Sequence, residues 1–375
     1  MTYSSFNPPR RTLMGPGPSD ISPQVLSALS KPAIGHLDPL FIGMMDEVKS
    51  LLQYAFQTKN EITLAVSAPG SAGMETCFVN LVEPGESVIV CINGVFGNRM
   101  KENVERLGAK AIVLEGQWGR AIDPLQLEAC LKDNPDAKFV AFVHAETSTG
   151  ALSDAKTLCA LAKQYNCLTI VDAVTSLGGV ELRVDDWQID AIYSGSQKCL
   201  SCVPGLSPVS FSPDAVSKIK SRKTKVQSWF LDQTLVMEYW ANNSGGKRSY
   251  HHTAPVNSLY ALHESLLHLF NEGLENAWRR HAQQHKILAD GLAKLGIEFI
   301  VPESERLPQL NAVYIPQGVD DVKVRSYLLN EFNLEIGAGL GEFSGKAWRI
   351  GLMGYSAKNE NVLLCLAALK QALAQ

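Results

Sequence analysis

Seven short apolar segments, separated by stretches long enough for helices, constrain the fold of this chain more than any other feature. They cover residues 62–66, 87–92, 111–114, 139–143, 168–172, 191–193 and 206–211. These segments are apolar without clean alternation, which is typical of strands that crossover helices bury on both faces. We therefore predict an α/β fold with a seven-stranded, mostly parallel sheet flanked by helices.

The chain length of 375 residues predicts more than one domain, because a single core rarely grows beyond roughly 250 residues. Residues 1–20 are rich in Pro and Gly and predict an N-terminal arm. We assign residues 21–255 to a large domain that contains the sheet, and residues 256–375 to a smaller α+β domain. The strands predicted in the smaller domain cover residues 298–301, 312–315 and 349–351.

The composition excludes two kinds of partner. Charged residues make up 19% of the chain and the net charge is −4, so the basic excess of a nucleic-acid-binding protein is missing. No stretch approaches the roughly 20 apolar residues that cross a bilayer, so we expect no membrane association. The eight cysteines have no regular spacing and the N-terminal segment lacks the apolar run of a signal peptide, so we expect a cytoplasmic protein.

Polar groups follow several of the predicted strands, at the edge where a parallel sheet binds its ligands. Asp172 ends one strand, and Lys198 follows the next in a turn rich in Ser and Gly. An amine that forms a Schiff base, together with an acid that keeps a ring nitrogen protonated, suits pyridoxal phosphate. The alternatives are a solvated lysine and an aspartate that caps a helix.

Small residues before a predicted helix indicate where a phosphate could bind. Gly70, Ser71 and Ala72 would let main-chain N–H groups approach an anion at the helix N-terminus, and Gln197 could add a side-chain donor. A Walker lysine and a GxGxxG fingerprint are both missing from the sequence, which favours a single phosphate monoester over a nucleotide. The glycines could also serve only the turn.

Three more residues could contact the cofactor or the substrate. Phe96 could stack on a cofactor ring or belong to the core, and Thr147 could bind a ring oxygen or stabilise a turn. Arg349 matches an α-carboxylate bidentately, with a structural ion pair as the alternative.

Two motifs are discounted. The Cys199/Cys202 pair has no second pair for zinc, which favours packing over redox work. His251 and His252 are adjacent, so in an extended segment they would point apart. We predict no metal site.

Taken together, the motifs resemble those of a known family over nearly the whole chain. The sequence is similar to the class V, fold-type I pyridoxal-phosphate aminotransferases, and within them to the alanine–glyoxylate and serine–pyruvate enzymes. The matching motifs are GPGPSDIS, GSAGMET, HAETSTG, IVDAVTSLGG, YSGSQKCL, SRKTK, SYHHT and RIGLMG. The resemblance implies that Lys198 carries the cofactor, Asp172 faces its ring nitrogen and Arg349 binds the substrate carboxylate. It also implies that Thr147 contacts the ring hydroxyl region and that Gln197 and the Gly70–Ser71 segment hold the phosphate.

The resemblance further implies a homodimer, in which Tyr250 and Thr253 reach the phosphate of the neighbouring subunit. Two positions depart from the pattern of the family. Phe96 stands where some relatives have tryptophan, and Pro69 occupies a phosphate-loop position often held by a small or hydroxyl residue.

We therefore expect ping-pong transamination through a Lys198 Schiff base, from alanine or serine to glyoxylate or pyruvate. Amino donors such as kynurenine, pyridoxamine or taurine are alternatives. So is a lyase, a desulfurase or a kynureninase-like hydrolase of the same fold, although the 337–345 loop lacks the cysteine that a desulfurase needs. A non-catalytic scaffold is disfavoured because Lys198 and Asp172 are both present.

Overall fold

The structure is a computed structural model, which describes residues 3–240 and 248–375. Its strands in chain order are β1 (Thr12–Leu13), β2 (Ile62–Val66), β3 (Ser87–Ile92), β4 (Lys110–Glu115), β5 (Phe139–Val143), β6 (Ala145–Glu146), β7 (Ala151–Leu152), β8 (Leu168–Asp172), β9 (Ala191–Tyr193), β10 (Ser207–Phe211), β11 (Leu310–Tyr314), β12 (Leu334–Glu335), β13 (Gly337–Ala338) and β14 (Ala347–Gly351).

The helices alternate with these strands in the first two thirds of the chain. They are α1 (Pro23–Leu29), α2 (Pro39–Phe56), α3 (Gly70–Leu81), α4 (Val95–Arg106), α5 (Pro124–Asp133), α6 (Ala155–Gln164), α7 (Pro213–Lys220), α8 (Gln233–Trp240), α9 (Val256–Glu272), α10 (Leu274–Lys294), α11 (Asp321–Phe332) and α12 (Asn359–Leu373). Several begin where the sequence caps them: Asp38, Asp123 and Ser212 each accept a hydrogen bond from a first-turn N–H and precede a proline.

The large sheet contains seven strands in the order β2-β10-β9-β8-β5-β3-β4. All of its neighbouring strands are parallel except for β10, which is antiparallel to both β2 and β9. Every residue of β3 and β5 is buried, because helices cover both faces of the sheet. The predicted fold class is confirmed, and strand ends differ from the prediction by one residue at β4 and β10.

A smaller sheet with the order β11-β14-β13 packs with α10, α11 and α12 around a second core. The strand predicted over residues 298–301 is wrong, since Phe299 forms only an isolated bridge with Val313. Pairing stops there because Pro302 has no N–H and leads into a 3₁₀ turn over Glu303–Glu305.

The N-terminal segment lies against the C-terminal part of the same chain. β1 pairs in parallel with β12, and the carbonyl oxygen of Met14 accepts a hydrogen bond from Gly351 N at 2.7 Å. Met14 is fully buried in the second core. The helix α9 instead contributes Leu259 and Leu262 to the core of the large sheet. The domain boundaries after residues 20 and 255 stay predictions.

Over the described ranges, 3–240 and 248–375, no helix has both the length and the apolar character needed to cross a membrane.

Candidate active site

The loops that follow β2, β3, β5, β8 and β9 meet around one cavity at the edge of the large sheet, which we call the rim cavity. Its lining residues are Pro69, Gly70, Ser71, Met74, Phe96, Arg99, Val143, Ala145, Thr147, Asp172, Val174, Thr175, Tyr193, Gln197 and Lys198. The carboxyl ends of neighbouring parallel strands lie side by side, so residues far apart in the sequence converge there.

Asp172 is the last residue of β8 and only 3% of its surface is exposed. One carboxylate oxygen accepts a hydrogen bond from Val174 N at 2.8 Å, and the other accepts one from the Tyr193 hydroxyl at 2.8 Å. No lysine or arginine forms an ion pair with it in the part of the chain that the structure describes. Burial, with the nearby Glu146 as a further cause, raises the pKa of Asp172 to about 7.

Lys198 lies in the turn after β9 and reaches the same cavity. Its amine donates a hydrogen bond to the Pro16 carbonyl oxygen. Burial, followed by the charge of Arg349, lowers the pKa of Lys198 to about 8. A neutral amine is therefore accessible near physiological pH, as a nucleophile or proton carrier requires.

The sequence did not predict the contact between Lys198 and the N-terminal segment. Gly17 adopts a φ of +111°, and a Cβ atom there would lie 2.5 Å from Lys198 Nζ. The Gly-Pro-Gly-Pro run containing Gly17 indicates a turn, but no local signal states which surface that turn meets. Tyr193 was also missed as a partner of Asp172, because its strand pattern only indicates burial.

The N-terminus of α3 faces the rim cavity through Gly70 and Ser71. Pro69 precedes the helix and provides no side-chain cap, so the N–H groups of Gly70 and Ser71 are available to an anion. Ala72 does not line the cavity, and its N–H donates to the Pro69 carbonyl oxygen at 2.7 Å. Gln197 Oε1 is buried and has no hydrogen-bond partner among the described residues.

Phe96 and Thr147 line the rim cavity from two other loops. Phe96 lies in the first turn of α4, and the Arg99 guanidinium lies 4.7 Å from the centroid of its ring. Thr147 is buried, and its carbonyl oxygen accepts a hydrogen bond from Arg349 Nη1 at 3.3 Å. Arg349 Nε donates to the Ala338 carbonyl oxygen at 2.7 Å. Arg349 thus lies next to the cavity without lining it.

Tyr250 and Thr253 are exposed and lie outside the rim cavity of their own chain; Tyr250 is 64% exposed. Their assignment to a neighbouring subunit stays a prediction. The expectation that His251 and His252 point apart is wrong: their Nδ1 atoms are 2.7 Å apart. The segment is not in a strand, so the alternation of side chains does not apply to it.

The Cys199/Cys202 pair is buried, and burial raises the pKa of each thiol to about 12. Such thiols are unreactive, in agreement with a packing role. Across the described residues, no three His, Cys, Asp or Glu side chains form a group that could hold a metal ion.

Comparison with known proteins assigns the family. The family model described as "Aminotransferase class-V" matches residues 16–360. The chain belongs to the class V aminotransferases.

Relatives of this class V aminotransferase match it along almost its whole length. The alanine–glyoxylate aminotransferase of Rattus norvegicus is 43% identical, with 97% of this chain and 88% of the rat protein covered. The crystal structure of alanine–glyoxylate aminotransferase from Nostoc sp. is 44% identical with a TM-score of 0.96, covering 100% of this chain and 98% of the other.

A third relative carries a different amino donor in its name. The (S)-ureidoglycine–glyoxylate transaminase of Bacillus subtilis is 37% identical over 97% of this chain and 91% of its own length. Its crystal structure has a TM-score of 0.96.

The class V aminotransferase also contains a larger cavity, of about 290 Å³ against about 140 Å³ for the rim cavity. Leu200, Ser201 and Gly354 are among its lining residues. Two of its charged groups are paired with each other, since Arg280 Nε donates to Glu272 at 2.5 Å, and Lys358 lies over the Tyr355 ring. The rim cavity, whose acid and amine form no ion pair among the described residues, is therefore the candidate active site.

Proposed function

We propose that the protein transfers an amino group from a small α-amino acid, alanine or serine, to glyoxylate or pyruvate, with pyridoxal phosphate as cofactor. The observation that carries the proposal is that Lys198 and Asp172 line one cavity at the carboxyl edge of the sheet. The class V family generally uses this cofactor, and the rat and Nostoc relatives are named for alanine and glyoxylate.

The residues of the rim cavity fit the cofactor. Asp172 is a buried acid without a cationic partner among the described residues, which suits a protonated ring nitrogen. The uncapped N-terminus of α3 offers main-chain N–H donors, which suits the phosphate end. Gln197 lines the same cavity, and its side-chain NH₂ group is the part that can donate to a phosphate. Bound there, pyridoxal phosphate supplies an electron sink for the substrate α-carbon.

The chain itself supplies the binding and the proton transfer. Lys198 holds the cofactor through its amine and then carries a proton at Nζ, which its lowered pKa of about 8 permits. Asp172 keeps a positive charge on the ring nitrogen, because a buried carboxylate stabilises a cation placed next to it. Phe96 offers a flat apolar face to the ring.

Arg349 is the residue that we assign to the substrate carboxylate. Its guanidinium lies beside the Thr147 carbonyl oxygen and retains donors beyond those used for Thr147 and Ala338. Burial lowers its pKa from the usual value, but an arginine stays charged at neutral pH. A planar carboxylate matches its fork bidentately.

The test is direct. Purified protein is titrated with pyridoxal phosphate and its visible absorption is recorded, and pyruvate formation from alanine and glyoxylate is then followed with a coupled assay. We expect a visible band from bound cofactor and steady pyruvate release that requires glyoxylate. Failure to bind added pyridoxal phosphate contradicts the proposal, and ammonia release without an oxo acid would instead favour a lyase.

A second candidate amino donor is (S)-ureidoglycine, because the Bacillus subtilis relative bears that name. The same assay with both donors, compared by kcat/KM, decides between them. A desulfurase is disfavoured, because no cysteine lines the rim cavity in the described part of the chain.

We also propose a homodimer with shared active sites. Tyr250 and Thr253 are exposed and outside the cavity of their own chain, and Trp229 is 63% exposed, so this surface suits a partner subunit. Sedimentation at micromolar concentration should give twice the chain mass of 40.9 kDa. A monomer with full activity contradicts the assignment of Tyr250 and Thr253.

A further inference from the structure

The helix that carries Phe96 lacks a capping side chain of its own. α4 begins directly after Gly94, which cannot provide a side-chain hydrogen bond. Its first N–H groups bind a different loop instead: Val95 N donates to Ser148 Oγ at 3.0 Å, and Phe96 N donates to Glu146 Oε2 at 3.2 Å. A carboxylate at a helix N-terminus is stabilised by the helix dipole.

Glu146 is fully buried, and its carboxylate contacts both the start of α4 and its own loop, which contains Ser148. Its Oε1 accepts hydrogen bonds from Ser148 N at 3.0 Å and from Ser148 Oγ at 2.6 Å, so Ser148 relays the bond from Val95 to the same carboxylate. Gly94 leaves room for this arrangement, because a Cβ atom there would overlap the Glu146 side chain.

The two loops that Glu146 joins both reach the rim cavity, one with Phe96 and the other with Thr147. Glu146 itself does not line the cavity. No lysine or arginine forms an ion pair with it in the described ranges, so N–H and O–H donors replace its hydration. A buried carboxylate is costly, and among the described residues its hydrogen-bond donors belong to the start of α4 and to Ser148.

We propose that Glu146 is a positioning residue that fixes the ring of Phe96 for the cofactor by capping α4 from the neighbouring loop. The inference rests on the proposed function, since it assigns Phe96 to cofactor stacking. Glu146 acts through Phe96 and touches neither cofactor nor substrate.

The experiment measures cofactor binding to the apo protein together with activity. Glu146→Gln replaces one acceptor oxygen by an NH₂ group, and Glu115→Gln, at the exposed end of β4, is the matched control. We expect E146Q to raise the Kd for pyridoxal phosphate about three- to tenfold. This is the change in affinity that corresponds to the loss of one contact between aromatic rings. It should also reduce the visible circular dichroism of the bound cofactor, while E115Q changes neither.

A double-mutant cycle separates positioning from general destabilisation. E146Q should weaken cofactor binding in the Phe96 background and have no effect on Kd in the Phe96→Ala background. Equal effects in both backgrounds, or a lower Tm with unchanged Kd, overturn the inference. If E146Q does not fold, Ser148→Ala takes its place in the cycle, because it leaves the Glu146 carboxylate intact. Wild-type protein that fails to bind the cofactor refutes the proposed function instead.

Discussion

Two buried aspartates on neighbouring parallel strands differ in what surrounds them. Asp190 directly precedes β9, at the amino end of the strand, and is almost fully buried. It accepts hydrogen bonds from Lys163 Nζ at 2.6 Å, from Thr169 N at 2.8 Å and from Ser212 Oγ at 3.1 Å. Its charge is neutralised within the chain.

Asp172 lies at the opposite, carboxyl end of the adjacent strand β8. It accepts two hydrogen bonds and has no cationic partner among the described residues, and burial raises its pKa to about 7. A buried charge without a counter-ion destabilises a fold. The comparison teaches that the acid at the amino end of the sheet is neutralised by a lysine, whereas the acid at the carboxyl end has no ion-pair partner among the described residues and is available to the cation that we propose for this site.

The largest predicted difference is between the transamination activities of two lysine variants, one at each end of the sheet. Lys198→Ala should lower transamination at least about a thousandfold, since it removes the amine to which we assign cofactor binding and proton transfer. Lys163→Ala, at the Asp190 end, should keep the activity of the folded protein within about twofold. Steady-state rates with alanine and glyoxylate measure both. Substantial activity in Lys198→Ala would reject the catalytic assignment.

A substitution at the amino end of the sheet should instead change stability and leave cofactor binding unaffected. Asp190→Asn leaves Lys163, which is partly exposed, with only the more distant Asp214 carboxylate and should lower the free energy of unfolding by about 1–2 kcal/mol. The Kd for pyridoxal phosphate should stay unchanged. Urea unfolding of the apo protein and a cofactor titration measure the two quantities. A normal urea midpoint would mean that the Lys163–Asp190 pair does not stabilise the sheet.

Arg349→Lys should reduce kcat/KM about ten- to a hundredfold, mainly through KM, because lysine cannot bind a carboxylate bidentately. Arg325→Lys is the control, since Arg325 pairs with Asp321 on α11, away from the rim cavity. Initial rates over a range of alanine concentrations give both constants. An unchanged KM for alanine would remove Arg349 from the substrate site.

The capture of the cofactor by Lys198 should also depend on pH. Burial lowers the pKa of Lys198 to about 8, so its reactive neutral form increases up to that pH and is nearly complete above it. The rate at which apo protein captures pyridoxal phosphate should therefore rise about tenfold per pH unit below 8 and then level off. Stopped-flow absorbance between pH 6 and 10 measures this rate. A rate that still rises about tenfold per pH unit between pH 8 and 10 would indicate an ordinary exposed lysine.

The strands of the large sheet, and the convergence of the loops that follow them, could be predicted from the sequence. Apolar segments predicted all seven strands of the large sheet, and the rule that ligands bind beyond parallel strand ends brought Asp172, Lys198 and Thr147 together. The strand predicted over residues 298–301 was wrong, because two or three apolar residues do not show whether a neighbouring strand pairs with them over their whole length.

Contacts between distant segments were not predictable. The Pro16 carbonyl oxygen beside Lys198 depends on an arm that folds back through β1 and β12, and nothing local in the sequence specifies that partner. The sequence did not predict a role for Glu146 either, because the residues around it are typical of a turn. Its role depends on α4 approaching from another strand.

Replacing Asp172 by Asn gives the most direct measurement, with the half-reaction of cofactor-loaded protein and alanine as readout. The unpaired anion of the wild type predicts that this rate falls at least about a hundredfold in the variant. Because the folded-state pKa of Asp172 is raised to about 7, ionisation of this acid removes stability between about pH 4 and pH 7, and the loss is complete above pH 7. The apo variant should therefore be no less stable than wild type at pH 8. A half-reaction rate within about twofold of wild type would contradict the account.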